Sequence, residues 1–431
     1  MASNGRTGQG GIFYGWYIVA AVFFMVFVSI GFRQSYGVFV VTWESEYGLD
    51  SRGFLSNVAS AGWVVNGLAQ PVVGGLADRY GARVVTAISL AVLGASTLAM
   101  AFSFNVWMLA FFFASFASFS NAGAMFTPVT PLIARWFVRK RGVALSIITA
   151  GGSAGAMLMI LFATYLLNLF NWRVSLAAVA VIVLLALPLV LVVIRNRPSD
   201  LGLVPDGSAP STAGGAARVS LLDGPLTVSH WRHAYRSAPM WQLTLTYVVC
   251  GITTAVIAVH FVPFAKDEGI TQTTAAFAFS ILHFANMGSV LAVGFLLSDR
   301  LQRKDTLTLV YAVRGLGFLS LLVLPTSVGF WVFAVVAGSS WLATVPQTSA
   351  LAAEIYGVRN SGSITGMLTM VHMFAGAVAV AAAGAAFDYF GSYDQVWLVC
   401  VLLLVGASLM AWLVREREVS ARYMPMRFAE A

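Results

Sequence analysis

Gly74-Gly75-Leu76-Ala77-Asp78-Arg79-Tyr80-Gly81-Ala82-Arg83 is a short charged bend between two long apolar runs. The flanking runs, near residues 53–76 and 84–103, reach the length of about 20 residues that a helix needs to cross a bilayer. Asp78-Arg79 returns as Asp299-Arg300, and other landmarks keep nearly the same offset of about 221 residues: Phe39-Val40 and Gly48 with Phe261-Val262 and Gly269, Arg141-Gly142 with Ser361-Gly362. A chain that repeats itself at this interval is built from two similar halves.

Extending the reading in both directions gives apolar runs near 14–41, 53–76, 84–103, 105–134, 142–168 and 173–195. A second set lies near 240–265, 274–298, 306–326, 328–352, 362–390 and 395–415. The expected fold class is all-α and integral to the membrane, with twelve transmembrane helices in two pseudo-symmetric six-helix bundles. The expected organisation is an N-terminal tail over 1–13, bundles over 14–195 and 240–416, a linker over 196–239 between them, and a C-terminal tail over 417–431. Pro198, Pro205, Pro210, Gly214, Gly215 and Pro225 mark the linker. Composition agrees, since 59% of the 431 residues are apolar and only 10% charged, against roughly 25% charged in a soluble chain.

The basic residues fall on alternate loops. One side holds Arg79, Arg83, Arg135, Arg139, Lys140, Arg141, Arg303 and Lys304, with Arg6, the linker, Arg300, Arg359 and the tail; the other holds only Arg52, Arg173 and Lys266. Basic loops stay in the cytoplasm, so both termini and the linker are expected there, in a multi-pass protein of the inner (cytoplasmic) membrane. The net charge of +8 thus reports topology and not nucleic-acid binding. The first apolar run is too long for a cleaved leader and reads as a spanning helix. Cys250 and Cys400 lie inside apolar runs without metal-ligand spacing, and no cofactor, metal, phosphate-loop or Ser/His/Asp pattern marks an enzyme.

The bend at Gly74–Arg83 resembles the major facilitator signature G-x-x-x-D-R-x-G-x-R between the second and third helices. Arg135 to Leu145, leading through Thr149-Ala150-Gly151-Gly152, is similar to the entry motif of monocarboxylate transporters and oxalate:formate antiporters, and Phe13-Tyr14-Gly15-Trp16 echoes it weakly. The resemblance implies a carrier whose first, fourth, seventh and tenth helices line a central cavity. It also implies a cytoplasmic latch made of Asp78, Arg79, Arg83, Arg139, Arg141, Asp299 and Arg300.

Ionisable groups at membrane depth are functional candidates, because each costs a few kcal/mol or more to place there. Two arginines and three histidines remain after the loops are assigned, with no Asp or Glu. Arg33, on the first helix, has no carboxylate at its depth, and its planar fork suits a carboxylate ligand; the competing reading has it snorkelling to the outer interface or bonded to backbone carbonyls. Ser29, Tyr36 and Gly37 share its expected face. Asn121 and Thr127 on the fourth helix, Thr254 on the seventh, His283 and Asn286 on the eighth and Gln347 on the tenth complete the expected substrate contacts. His260, His283 and His372 are the proton-coupling candidates, since imidazole titrates near neutral pH, against a structural hydrogen bond for any one of them. Arg314 is expected to snorkel to the cytoplasmic interface, and the small-residue runs Ala150–Ala156 and Ala375–Ala386 to pack the halves together.

The expected function is secondary transport of a small organic anion of the monocarboxylate type by alternating access, as proton-coupled uptake. Anion exchange is the alternative, with export of neutral or hydrophobic compounds and a transporter-like nutrient sensor as further rivals. The resembled carriers have a basic residue in the eighth helix and oxalate carriers a lysine in the eleventh; this chain has His283, Asn286 and His372 there, which favours a monoanion over a dianion. The expected partners are a small carboxylate, protons and the lipid bilayer, around a monomer.

Overall fold

The computed structural model describes residues 12–49, 53–206, 226, 228–292, 303–357 and 360–414. These residues form long helices without a named strand; a single bridge joins Phe137 to Asp206. In an apolar medium a spanning segment must satisfy its own N–H and C=O groups, and the helix does so internally. The first half contains α1 (Gly15–Glu46), α2 (Gly53–Tyr80), α3 (Ala82–Ala101), a composite α4 (Val106–Trp136), α5 (Arg141–Leu169) and α6 (Trp172–Val193). The second contains α7 (Ala238–Asp267), α8 (Gln272–Ala292), α9 (Arg303–Val323), a composite α10 over 326–356, α11 (Ser361–Phe390) and α12 (Asp394–Trp412). Among the described residues nine helices are long and apolar enough to cross a membrane. The expected boundaries lie within a few residues of these, except that Asp299 and Arg300 fall outside the described residues.

Pairing within the halves follows the repeat. In the first, α1 packs on α5 and α3 on α6; in the second, α7 packs on α11 and α9 on α12. Glycine lets the paired backbones touch. A Cβ at Gly155 of α5 would strike the Phe27 backbone of α1, and one at Gly376 of α11 would meet Ala255 and the Gly251 carbonyl of α7. These two glycines stand 221 residues apart. The run Ala150–Ala156 packs within its own half, with Gly151 against Phe23 and Gly152 against Ile30, as well as between halves as expected, where Ser153 bonds Asn286 of α8.

Two helices are broken at matching places. α4 has a π-helical turn at Phe113–Ala117 and stops at Gly123, turns through extended Met125, and restarts at Phe126 with Pro128 in its new first turn, where a missing N–H is harmless. α10 stops at Val336, passes through a tight turn at Gly338–Ser340, and restarts at Thr344 with Pro346 in the first turn. Breaks of this kind free backbone carbonyls, and Arg314 takes up two of them. Its guanidinium donates to the carbonyls of Ser340 (2.6 Å) and Trp341 (2.5 Å), and approaches Cys250 Sγ (3.3 Å) and Thr253 Oγ1 (3.4 Å).

Arg314 is thus fully buried, and the expected snorkelling is overturned. It stands eleven residues into α9, about 16 Å along the axis, too far in to reach the headgroups when carbonyls are at hand. Replacing it strands both acceptors, each at roughly 1–3 kcal/mol. Arg314→Leu is expected to lower the thermal unfolding midpoint of the purified protein by several degrees; an unchanged midpoint would remove the strut.

Candidate functional site

The two halves meet along α2 against α11 and α5 against α8. Gly74 is so close to Gly362 that a Cβ would collide with its carbonyl, Gly366 abuts Gln70 and Pro71, and Gly67 faces Met373. At the end bearing the basic loops, one Asp78 oxygen accepts from the Ser363 N–H (3.0 Å) and hydroxyl (2.9 Å), in the first turn of α11, where the helix dipole favours an anion. Arg135 adds its charge beside Asp78. The second segments of α4 and α10 also cross the seam here, onto α11 and α5, while Arg303 of α9 pairs with Glu354 of α10 inside the second half.

Among the described residues of the expected latch, only Asp78 reaches across by hydrogen bonds; Asp299 and Arg300 lie outside the described residues. Arg79 lies over Tyr80, with its guanidinium carbon 5.1 Å from the ring centroid. Arg83 donates to the carbonyl of Leu191 (2.5 Å), tying α3 to α6 within one half. The backbone N–H of Arg139 goes to Asp206, which also accepts from those of Val138 and Lys140, and Arg141 caps the end of α4 through the carbonyls of Phe137 (3.2 Å) and Ala134 (3.3 Å). Arg83 and Arg141 act at the helix ends of their own half because the freed carbonyls lie there.

Beyond the seam, toward the middle of the bundle, lies a cavity of about 100 Å³. Ile30, Arg33 and Gln34 of α1 face it, as do Met125, Phe126 and Thr127 at the break of α4. Opposite stand Tyr247, Cys250 and Thr254 of α7 and Trp341, Leu342 and Val345 at the break of α10. α2 and α11 also contribute, with Trp63 and Gln70 on one side and Thr365, Thr369, His372 and Met373 on the other. Polar residues at Thr365, Thr369 and His372 recur at helical spacing, as do Asn66 and Gln70, a signal that the expected cavity of α1, α4, α7 and α10 left unused.

Arg33 is the strongest charge on the wall. Its guanidinium carbon sits 4.0 Å from the Trp63 ring centroid, and Nη2 is 3.3 Å from Met373 Sδ. No Asp or Glu is among the residues lining the cavity. Several other polar groups are committed to neighbours. Thr127 donates to Gln70 Oε1 and Gln70 to Asn66 (2.9 Å), while Thr254 donates to the Cys250 carbonyl (2.7 Å) and Thr369 to the Thr365 carbonyl (2.8 Å). His372 donates from Nδ1 to the Tyr247 carbonyl (3.2 Å) and lies 4.7 Å from its ring.

Several expected site residues point elsewhere. Tyr36 donates to the Leu55 carbonyl (2.9 Å) and packs 4.2 Å from Phe113, inside the first half. Asn121 donates to the Ser29 carbonyl (3.0 Å), a strut between α4 and α1. Asn286 accepts from Ser153 (2.6 Å) across the seam. His283 is buried edge-on to Phe279 at 5.0 Å, and Gln347 is buried; neither lines the cavity. His260 bonds Tyr393 (3.1 Å) and the Val380 carbonyl (3.0 Å), tying three helices together.

The model of the Major Facilitator Superfamily matches residues 22–380. The chain belongs to that superfamily. It is 25% identical over 406 residues to YcxA, an uncharacterized MFS-type transporter of Bacillus subtilis, covering 93% of this chain and 94% of that protein. It is also 25% identical over 414 residues to monocarboxylate transporter 13 of Bos taurus, covering 95% and 90%. The fold is similar to that of the solved proton:xylose symporter XylE, with a TM-score of 0.78 at 14% identity over 94% of this chain and 96% of that one. The chain is accordingly an all-helical, multi-pass membrane transporter of small molecules and not an enzyme.

The seam at Asp78 and Gly74 holds the two halves together at the basic end of this transporter. Gly74→Leu, which forces α2 from α11, is expected to raise the alkylation rate of a cysteine placed at Ser349, a residue of α10 on the cavity wall, by a reagent supplied from that end at least tenfold. An unchanged rate would show that the glycine contact is not the barrier.

Proposed function

We propose that this transporter carries a small organic monoanion of the monocarboxylate type by alternating access, with Arg33 binding the carboxylate. The observation that carries the reading is Arg33 itself: a guanidinium on the cavity wall that leans on an indole face and a thioether, with no carboxylate among the lining residues. A cation so placed in a low-dielectric site favours an anionic ligand. The similarity to a protein named monocarboxylate transporter 13 supports the same class.

Positive loops mark the cytoplasmic side, so the closed seam faces the cytoplasm, the termini lie there, and the cavity loads from outside. Two bundles joined by the 196–239 linker rock around the cavity as a monomer, and Asp78 with its arginine neighbours holds the closed state. The transport is uptake driven by protons. His372 is the candidate to carry the proton, because it alone of His260, His283 and His372 borders the cavity.

In proteoliposomes, Arg33→Gln is expected to reduce carboxylate uptake at low substrate by about thirtyfold or more, as losing one partner of a buried charge pair costs about 2 kcal/mol or above. Arg33→Lys keeps the charge but not the fork and should fall between. Undiminished uptake by a folded Arg33→Gln protein would refute the reading.

A further inference from the structure

Resting on that reading of Arg33, we propose that the body of the transported anion is aromatic: a single-ring arylcarboxylate, such as a benzoate or phenylacetate, in preference to a short aliphatic or hydroxylated acid. Three observations lead there. The first is size. A cavity of about 100 Å³ has room for roughly seven to ten water-sized groups, at about 10–15 Å³ each. A carboxylate with one six-membered ring fills it, whereas acetate or lactate leaves much of the apolar wall facing empty space or trapped water.

The second is the wall. Facing Arg33 across the cavity are Tyr247, Trp341 and Leu342, with Phe126 at the break of α4. The rings of Tyr247 and Trp341 are held in place, the former against His372 at 4.7 Å and the latter against the Arg314 guanidinium at 5.6 Å. Fixed aromatic faces recognise a flat ring, each contact worth a factor of roughly two to ten.

The third is how few polar groups are spare. Thr127, Gln70, Thr254, Thr369 and His372 already bond one another or nearby carbonyls, which leaves chiefly Gln34, Ser349 and Thr365 on the wall. A polyhydroxylated substrate would bury more hydroxyls than these can meet, each surplus one at a loss. With Arg33 as the only full charge on the wall among the lining residues, a second carboxylate also lacks a partner. The wall thus offers one full charge within a mainly apolar surface, the profile of an arylcarboxylate.

Binding to the full-length protein in lipid nanodiscs tests this, with radiolabelled benzoate displaced in turn by phenylacetate, acetate, lactate, phthalate and benzamide. Benzoate or phenylacetate should bind at least tenfold more tightly than acetate and lactate, with phthalate and neutral benzamide both weak. Trp341→Leu should cut the advantage of benzoate over acetate to less than threefold, while Arg33→Gln should remove binding of both. Acetate or lactate binding as tightly as benzoate, in an Arg33-dependent way, overturns the aromatic body and leaves the anion reading standing. Benzamide matching benzoate, or full binding to Arg33→Gln, overturns the anion reading. No binding by any carboxylate overturns both, and the wild-type panel decides these outcomes even where Trp341→Leu does not fold.

Discussion

Arg33 and Arg314 are the same side chain inside the same apolar bundle, and the structure treats them in opposite ways. Arg314 is closed in by two carbonyls from the broken α10, so its charge is answered by the protein. Arg33 rests on an indole face and a thioether sulfur, both weak partners for a full charge. Water would erase the difference between them. In a site shielded from water an unanswered guanidinium is expensive, and this one is left beside a cavity with no carboxylate among its lining residues. The broken helices serve both outcomes: the α10 break provides the carbonyls that hold Arg314, and its Trp341 and Leu342 become cavity wall.

Closure at one end rests on a different constraint, the closeness of backbones. Gly74 and Gly362 bring α2 and α11 nearer than any pair of side chains would allow, and only at that spacing does Asp78 reach the first turn of α11. Contacts that depend on glycine are either fully made or lost, because interiors pack densely and do not stretch. The seam is therefore suited to two discrete arrangements, which a carrier that opens to alternate sides requires.

Much of the fold was legible in the sequence because apolar length and loop charge are one-dimensional signals. The helix ends, the repeat at Asp78 and Asp299 in the sequence and the depth of Arg33 follow from them. What the sequence does not carry is rotation about each helix. Hydropathy scores a lipid-facing residue and a partner-facing one alike, so Tyr36, one turn from Arg33, looked like cavity and turned out to face Phe113 and Leu55. At 100° per residue, three positions bring a side chain 60° away from its starting direction, enough to leave a narrow cavity. Asn121 and Asn286 stand out as ligands because polar residues in membranes are rare, but the neighbouring helix is the nearer partner in each case.

Arg314 shows the converse. Its depth was countable, yet the carbonyls that hold it become free only when α10 breaks, 26 residues further along the chain. Trp63, Tyr247, Trp341 and Met373 were passed over for a related reason: aromatic and thioether side chains in an apolar run carry no mark that separates packing from recognition. Only the placement of a cation decides which they do. Trp63 lies beneath the Arg33 guanidinium, and Trp341 borders the cavity with Arg314 behind it, so two otherwise ordinary membrane aromatics become the surfaces on which charge is balanced. Specificity in such a site comes less from the polar residues that stand out in the sequence than from which of them are already bonded when the ligand arrives.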